Sequence, residues 1–158
     1  MKTYNFARTN ETLYYDELKN GFKVYVVPTT NKDGFYAVIG VFYGSNDISF
    51  IPNGQTEYKE TNLGIAHYLE HLAFATEEGE DPFSFFSKSG VNTNASTSFL
   101  STKYYIWGNN DLKNNLDYLL NFVLTPYFTD ENIKKELGVI TEEIRMYEDE
   151  PNWVIDDL

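Results

Sequence analysis

The stretch GIAHYLEHLAF, residues 64–74, constrains this chain more than any other, because it holds both of its histidines. His67 and His71 are four residues apart, and Glu70 directly precedes His71. Apolar residues recur at helical spacing through residues 62–76, which predicts a helix with Asn62 as its N-cap. His67, Glu70 and His71 then share one face of this helix. The opposite face is predicted to be a core stripe of Ile65, Leu69, Leu72 and Thr76.

The histidine spacing predicts a metal site. Two histidines at i and i+4 point the same way and can hold one ion, and zinc is favoured because imidazole is a good ligand for it. Glu70 cannot easily reach the same coordination position, but it is placed to hold a metal-bound water and to take its proton as a general base. The alternative is a pair of surface histidines on an amphipathic helix. The H-x-x-E-H pattern, which faces away from the core stripe, favours the metal.

A third ligand for this metal has to come from another part of the chain. A catalytic zinc has three protein ligands, and with no cysteine and no third histidine the third must be Asp or Glu. The stretch KKELGVITEEIRMYEDE, residues 134–150, offers Glu136 and Glu143, which lie seven residues apart and so share one helical face. Such a pair is commonly a solvated helix edge, so spacing alone leaves the third ligand open.

The remaining elements predict an α+β fold, in which helices pack on one face of a mixed or antiparallel sheet. A hairpin is expected from residues 12–18 and 22–28 with Asn20-Gly21 at its turn, and a third strand from residues 34–44. DPFSFFSKSG predicts a short helix, and VNTNASTSF and TKYYIWG predict two further strands. Asp111 and Thr129 begin two helices, of which the second ends before Pro151. Their predicted apolar stripes are Leu112, Leu116, Leu119, Leu120 and Val123, and then Ile133, Leu137, Ile140 and Ile144.

Composition excludes several classes of function. A length of 158 residues suits one domain with a real core. A formal charge of −12 argues against nucleic acid as a partner, because phosphate binding needs a basic face. No apolar run is long enough to span a membrane, and the first fifteen residues lack the apolar core of a signal peptide. We therefore expect a cytoplasmic protein without a membrane partner.

The motif HYLEH resembles the inverted zinc motif of the insulinase/pitrilysin family, the inverzincins. The resemblance extends along the chain in the family's order. LKNGFKVYVVP is similar to the opening hairpin, GIAHYLEHLAF to the zinc helix, and SGVNTNASTSFLSTKYY to a strand pair with an Asn-Ala signature. KELGVITEEIRMYEDEPNW is similar to the helix that supplies the third ligand. Its ending, EIRMYEDEPNW, resembles a bacterial branch found beside peptide-export and translation-factor-modification genes.

This resemblance implies a zinc endopeptidase with the fold of insulinase and mitochondrial-processing-peptidase-like metallohydrolases. It implies one Zn²⁺ held by His67, His71 and Glu143, with Glu70 as the catalytic base. Glu136 matches a second glutamate that supports the site by charge and proton handling. Asn94 and Ala95 match an edge strand to which the substrate peptide adds as a further strand.

The resemblance also implies that residues 1–158 are the N-terminal zinc-binding peptidase domain, cut before that domain's natural end. Family members have a second homologous half, so a second half or subunit is the expected partner. The alternative is a non-catalytic, peptide-binding partner subunit that retains zinc. S-ribosylhomocysteine lyases share the inverted motif, but their metal site uses a cysteine, and this chain has none.

Overall fold

The computed structural model describes residues 1–30, 33–77 and 79–148, in two compact units that divide after Gly34. The first unit is an antiparallel sheet of β1 (Lys2–Phe6), β2 (Glu11–Glu17) and β3 (Lys23–Val26), in that order. The β2–β3 hairpin matches the prediction, with Gly21 at its turn in the left-handed region at φ +84°. Strand β1 was not predicted, because its five residues are all exposed and show no buried alternation.

The second unit is built on a sheet of β4 (Phe35–Val41), β7 (Asn92–Thr97) and β8 (Thr102–Gly108). Its strand order is β4-β8-β7, and both pairings are antiparallel. The polar segment that follows β4 contains a two-residue pair, β5 (Ser49–Phe50) with β6 (Lys59–Glu60). Strands β4, β7 and β8 agree with the predicted ones, whereas β5 and β6 lie in a segment for which no strand was predicted, and β7 is an edge of the sheet.

Within the described part of this unit there are four helices, namely α1 (Ile65–Leu72), α2 (Pro82–Lys88), α3 (Leu112–Leu124) and α4 (Asp130–Glu148). The prediction for α1 was wrong at both ends. Its N-cap is Gly64 rather than Asn62, because Gly64 takes a left-handed φ of +84° that glycine adopts without strain. The predicted end of the last helix before Pro151 lies outside the described residues.

The core lies on one face of the β4-β8-β7 sheet, where side chains from the strands meet the helices. Its buried apolar members are Ile39, Ala73, Phe86, Val91, Tyr104, Ile106, Leu119 and Phe122. This arrangement confirms the predicted α+β class with an antiparallel sheet and helices on one face. None of the helices within the described residues has the length and apolar character needed to cross a membrane.

Two predicted apolar stripes differ from the structure. On α3, Leu112 is exposed, whereas Asn115 and Phe122 are buried. Asn115 is buried because its side chain donates to the carbonyls of the preceding turn and accepts from Ser89. On α4, only Ile140 of the predicted stripe is half-buried, because a different face of this helix packs on α1. The other members are exposed, namely Ile133, Leu137 and Ile144.

Candidate metal centre

Ala66, Glu70 and the C-capping Ala73 share one face of α1 and are 2%, 8% and 6% exposed. Of the predicted core stripe, Leu72 is buried at 3% exposed, whereas Ile65, Leu69 and Thr76 are only half-buried. Two alanines let the helix approach the sheet closely, and sequence periodicity gives small residues little weight. Glu70 therefore points toward the sheet, although it was predicted to lie opposite the core.

The two histidines of α1 meet a carboxylate from α4. The Nε2 atoms of His67 and His71 are 3.1 Å apart, and Glu143 Oε2 lies 3.4 Å from His71 Nε2 and 3.8 Å from His67 Nε2. All three ligand atoms fall within 4.8 Å of one another. The structure thus brings together the three predicted metal ligands, although Glu143 follows His71 only after the whole of the β7–β8 hairpin and α3.

This donor triangle fits a tetrahedral zinc ion. Ligands at the usual zinc distances stand about 3.3 Å apart along each edge of a tetrahedron. The observed edges of 3.1, 3.4 and 3.8 Å bracket that value. The donor set, two imidazole nitrogens and one carboxylate oxygen, is also one that catalytic zinc sites use. The side chains of His67 and Glu143 remain partly exposed, so solvent reaches the donor triangle.

Glu136 contacts the site through His71 rather than through the donor triangle. His71 Nδ1 donates to Glu136 Oε1 at 2.8 Å, which leaves Nε2 of a neutral imidazole free to bind a metal. This is the arrangement of a carboxylate that orients a metal-binding histidine. One turn away on α1, the Tyr68 hydroxyl donates to Ile133 O at 2.5 Å, which fixes α4 beside α1.

The Glu70 side chain accepts a hydrogen bond from β7, the edge strand. The Thr97 hydroxyl donates to Glu70 Oε2 at 2.5 Å, and Thr102 Oγ1 lies 3.3 Å behind it. Thr97 was not singled out from the sequence, although it follows Ala95 by two residues and so lies on the same face of β7. The inward-facing position of Thr97 could be inferred from strand alternation, but its place opposite Glu70 is visible only in the fold.

The edge of β7 offers backbone groups at Ala95. The Ser98 N–H donates to Ser101 O across the hairpin turn, at 2.8 Å. Hydrogen-bonded and non-hydrogen-bonded residue pairs alternate along an antiparallel ladder. The backbone of Asn94 therefore hydrogen-bonds to β8, whereas the N–H and C=O of Ala95 face the free edge of β7. The Ala95 N–H donates to the side-chain Oδ1 of Asn94 at 2.8 Å. A peptide can therefore pair at Ala95 once the Asn94 side chain releases that N–H.

Tyr104 lies close to Glu70 in the buried layer between α1 and the sheet. It is 6% exposed, and burial first, then the charge of Glu70, raises the pKa of its phenol. Tyr104 therefore stays a neutral phenol at all pH values near neutrality. The sequence analysis missed this residue because it reads as an ordinary inward-facing strand residue.

Comparison with known proteins agrees with this geometry. Residues 50–158 match the family model described as Insulinase (Peptidase family M16). An uncharacterized zinc protease of Bacillus subtilis strain 168, YmfH, is 42% identical over 153 residues, covering 97% of this chain and 36% of that protein. A second from the same organism, YmxG, is 35% identical over 124 residues, covering 76% of this chain and 28% of that protein. The chain thus spans about a third of the length of these relatives.

A solved structure has the same fold. The M16-like peptidase from Alicyclobacillus acidocaldarius superposes with a TM-score of 0.83 and 36% sequence identity, over 90% of this chain and 33% of that one. The match to the family model covers well over half of the chain and includes every residue of the metal centre. The chain therefore belongs to the insulinase family, peptidase family M16.

Proposed function

We propose that this chain carries the metal site and general base of a zinc-dependent endopeptidase. The observation that carries the proposal is the meeting of His67 Nε2, His71 Nε2 and Glu143 Oε2 within 4.8 Å. These three residues would hold one Zn²⁺. Zinc, when bound, would supply Lewis-acid activation of the attacking water and of the scissile carbonyl.

The proposed role of Glu70 is general-base catalysis. Its carboxylate adjoins His71 in sequence and has no Lys or Arg ion-pair partner within the described residues. An ionised carboxylate can take a proton from the attacking water and deliver it to the leaving amine. Glu136 would hold His71 in the tautomer that presents Nε2, through the 2.8 Å bond to Nδ1.

The proposed substrate is an extended peptide that adds to the free edge of β7. Ala95 supplies an N–H and a C=O for strand pairing, and Asn94 supplies an adjacent side-chain amide. The same strand is bonded to Glu70 through Thr97, so a peptide paired at Ala95 would pass beside the proposed base. Backbone pairing of this kind recognises the extended shape of a peptide more than its sequence.

A second candidate function is a zinc-retaining, peptide-binding subunit that depends on another polypeptide for turnover. It is supported by the span of the chain, which is about a third of the relatives' length. In that case the whole protein's activity would need groups that the partner supplies.

Hydrolysis of an internally quenched peptide by the zinc-loaded chain together with a homologous second half tests the proposal. We expect cleavage that is lost on chelation, restored by zinc and absent in Glu70→Gln. Zinc and peptide binding by the chain without cleavage, together with cleavage by the two-part assembly that Glu70→Gln does not reduce, would favour the binding subunit instead. Cleavage that survives both chelation and Glu70→Gln would contradict the proposal.

A further inference from the structure

Glu70 is an unusual carboxylate for an amphipathic helix. Glu70 is only 8% exposed. Within the described residues, its side chain accepts a hydrogen bond from one neutral group, the hydroxyl of Thr97. A buried ionised group without such a partner is costly, so this contact determines where the carboxylate can rest. At 2.5 Å the contact has the length of a charge-assisted O–H···O⁻ bond.

The direction of the Thr97 proton follows from its neighbours. Each threonine hydroxyl has one proton to donate. Thr102 donates its proton to the carbonyl of Tyr43 at 2.9 Å, a shorter contact than the 3.3 Å between the two threonine oxygens. The Thr97 hydroxyl therefore donates its proton to Glu70, and Thr102 packs against the other side of Thr97. Because a β-branched side chain has few χ1 rotamers, Thr97 is held in this orientation.

The backbone of Thr97 faces the other way. Thr97, like Ala95, is at a position of β7 whose backbone does not hydrogen-bond to β8. Its N–H and C=O therefore also point to the free edge. One residue thus presents its backbone where a peptide would pair and its hydroxyl to the proposed base. Ala95 and Thr97 are successive outward positions, as two residues of a paired peptide require.

We infer that Thr97 is the positioning residue of Glu70, and that it fixes this carboxylate to the peptide-binding edge of β7. This inference rests on the proposed function, because it gives Glu70 the role of base and the β7 edge the role of peptide site. The Thr97–Glu70 hydrogen bond therefore sets the distance between the proposed base and a peptide paired with β7. A threonine that merely satisfied a buried carboxylate would not need its backbone at that edge.

Carboxyl ¹³C NMR of the zinc-loaded chain tests the contact directly. The protein is labelled at glutamate Cδ, and the Glu70 resonance is identified by its loss in Glu70→Gln. Thr97→Val removes the hydroxyl and keeps the shape, whereas Thr97→Ser keeps the hydroxyl. The matched control is Thr93→Val on the same strand, whose hydroxyl donates to the Tyr105 carbonyl instead. Thr97→Ala replaces Thr97→Val if circular dichroism shows that the latter does not fold.

We expect the Glu70 resonance to shift or split in Thr97→Val, to return in Thr97→Ser and to stay unchanged in Thr93→Val. Adding a non-cleavable peptide should move this resonance in wild type and Thr97→Ser much more than in Thr97→Val. An unmoved resonance in Thr97→Val, or equal spectra for Thr97→Ser and Thr97→Val, would overturn the inference. This readout needs no peptide hydrolysis, so it can fail or succeed independently of the proposed activity.

Kinetics on the active holoenzyme supply a second readout. Misplacing a catalytic group by about 1 Å costs on the order of 10²-fold in rate. We therefore expect Thr97→Val to lower kcat by that factor with KM and zinc content little changed, and Thr97→Ser to restore most of it. A loss in Thr97→Val that lies in KM alone, or one that Thr97→Ser does not restore, would contradict the positioning role.

Discussion

His71 Nδ1 donates to Glu136 Oε1 at 2.8 Å, so the imidazole of His71 is held with Nε2 facing His67 and Glu143. Glu136 and Glu143 are two turns apart on α4, and they act on opposite nitrogens of the same ring. This relationship separates the roles of two glutamates that sequence spacing alone could not distinguish. It makes Glu143 the expected ligand and Glu136 the expected support of a ligand.

Glu136→Ala should weaken zinc binding without abolishing it. Loss of a carboxylate that orients a metal-binding histidine typically costs roughly 10- to 100-fold in affinity, so we expect a decrease of that size. Glu136→Gln should lose less, because its amide oxygen still accepts from Nδ1. Competition with a chelator of known affinity measures both. Glu142→Ala is the matched control, since Glu142 is exposed on the same helix and pairs with Arg145. Equal zinc affinities for Glu136→Ala and Glu142→Ala would show that Glu136 does not support zinc binding.

Glu70→Gln and Glu143→Gln should separate base from ligand. The amide that replaces the Glu70 carboxylate cannot take a proton, so zinc content should stay at the wild-type value while peptide hydrolysis is lost. Glu143→Gln changes a ligand, so zinc itself should bind more weakly. Metal analysis and a peptidase assay on the same preparations provide the comparison. The opposite pattern, with zinc lost in Glu70→Gln and kept in Glu143→Gln, would show that base and ligand are exchanged.

Ala95→Pro should impair peptide binding specifically. Proline removes the N–H that faces the free edge of β7, and an edge strand tolerates proline where its N–H is not part of the ladder. One lost backbone hydrogen bond corresponds to an increase in KM of roughly tenfold. Zinc content should not change, because Ala95 is not a ligand. Ala95→Ser keeps the N–H and serves as the control. If the two variants showed the same KM, the peptide would not pair at Ala95.

The isolated chain should associate through the outer side of α4. Leu137 and Ile144 are 59% and 54% exposed there, and contiguous exposed apolar surface commonly marks an interface. We expect light scattering to detect oligomers, and little peptidase activity until a homologous half is added. Leu137→Glu with Ile144→Glu should give a monomer that still binds zinc. A wild-type chain that is a monodisperse monomer and cleaves peptides efficiently by itself would contradict both expectations.

Sequence reasoning brought His67 and His71 together because residues four apart share a face of a helix. The strand and helix order followed from alternation, from Gly21 at a turn, and from Pro82 and Asp111 at the starts of helices. Packing between elements was harder to predict. Ala66 and Ala73 take α1 onto the sheet although larger apolar residues suggested another face, and Glu70 turned inward with them.

The side-chain contacts of the candidate site depend on the fold. Spacing leaves Glu136 and Glu143 equivalent on one helical face, the family resemblance implies Glu143 as ligand and Glu136 as support, and the distances to the two nitrogens of His71 agree with that assignment. The contact of Thr97 with Glu70 depends on how β7 is placed relative to α1. No local pattern of residues 92–97 contains this long-range relationship. Local periodicity therefore predicted the elements, while contacts between distant elements decided the roles.

Metal analysis after stripping and reloading with zinc tests whether His67, His71 and Glu143 together hold an ion. We predict about one zinc per wild-type chain, as expected for three protein ligands around a single ion. His67→Ala and His71→Ala should each lose it, whereas Glu142→Ala, folded to the same extent by circular dichroism, should retain it. Wild-type zinc content in both histidine variants would contradict a metal centre at His67, His71 and Glu143.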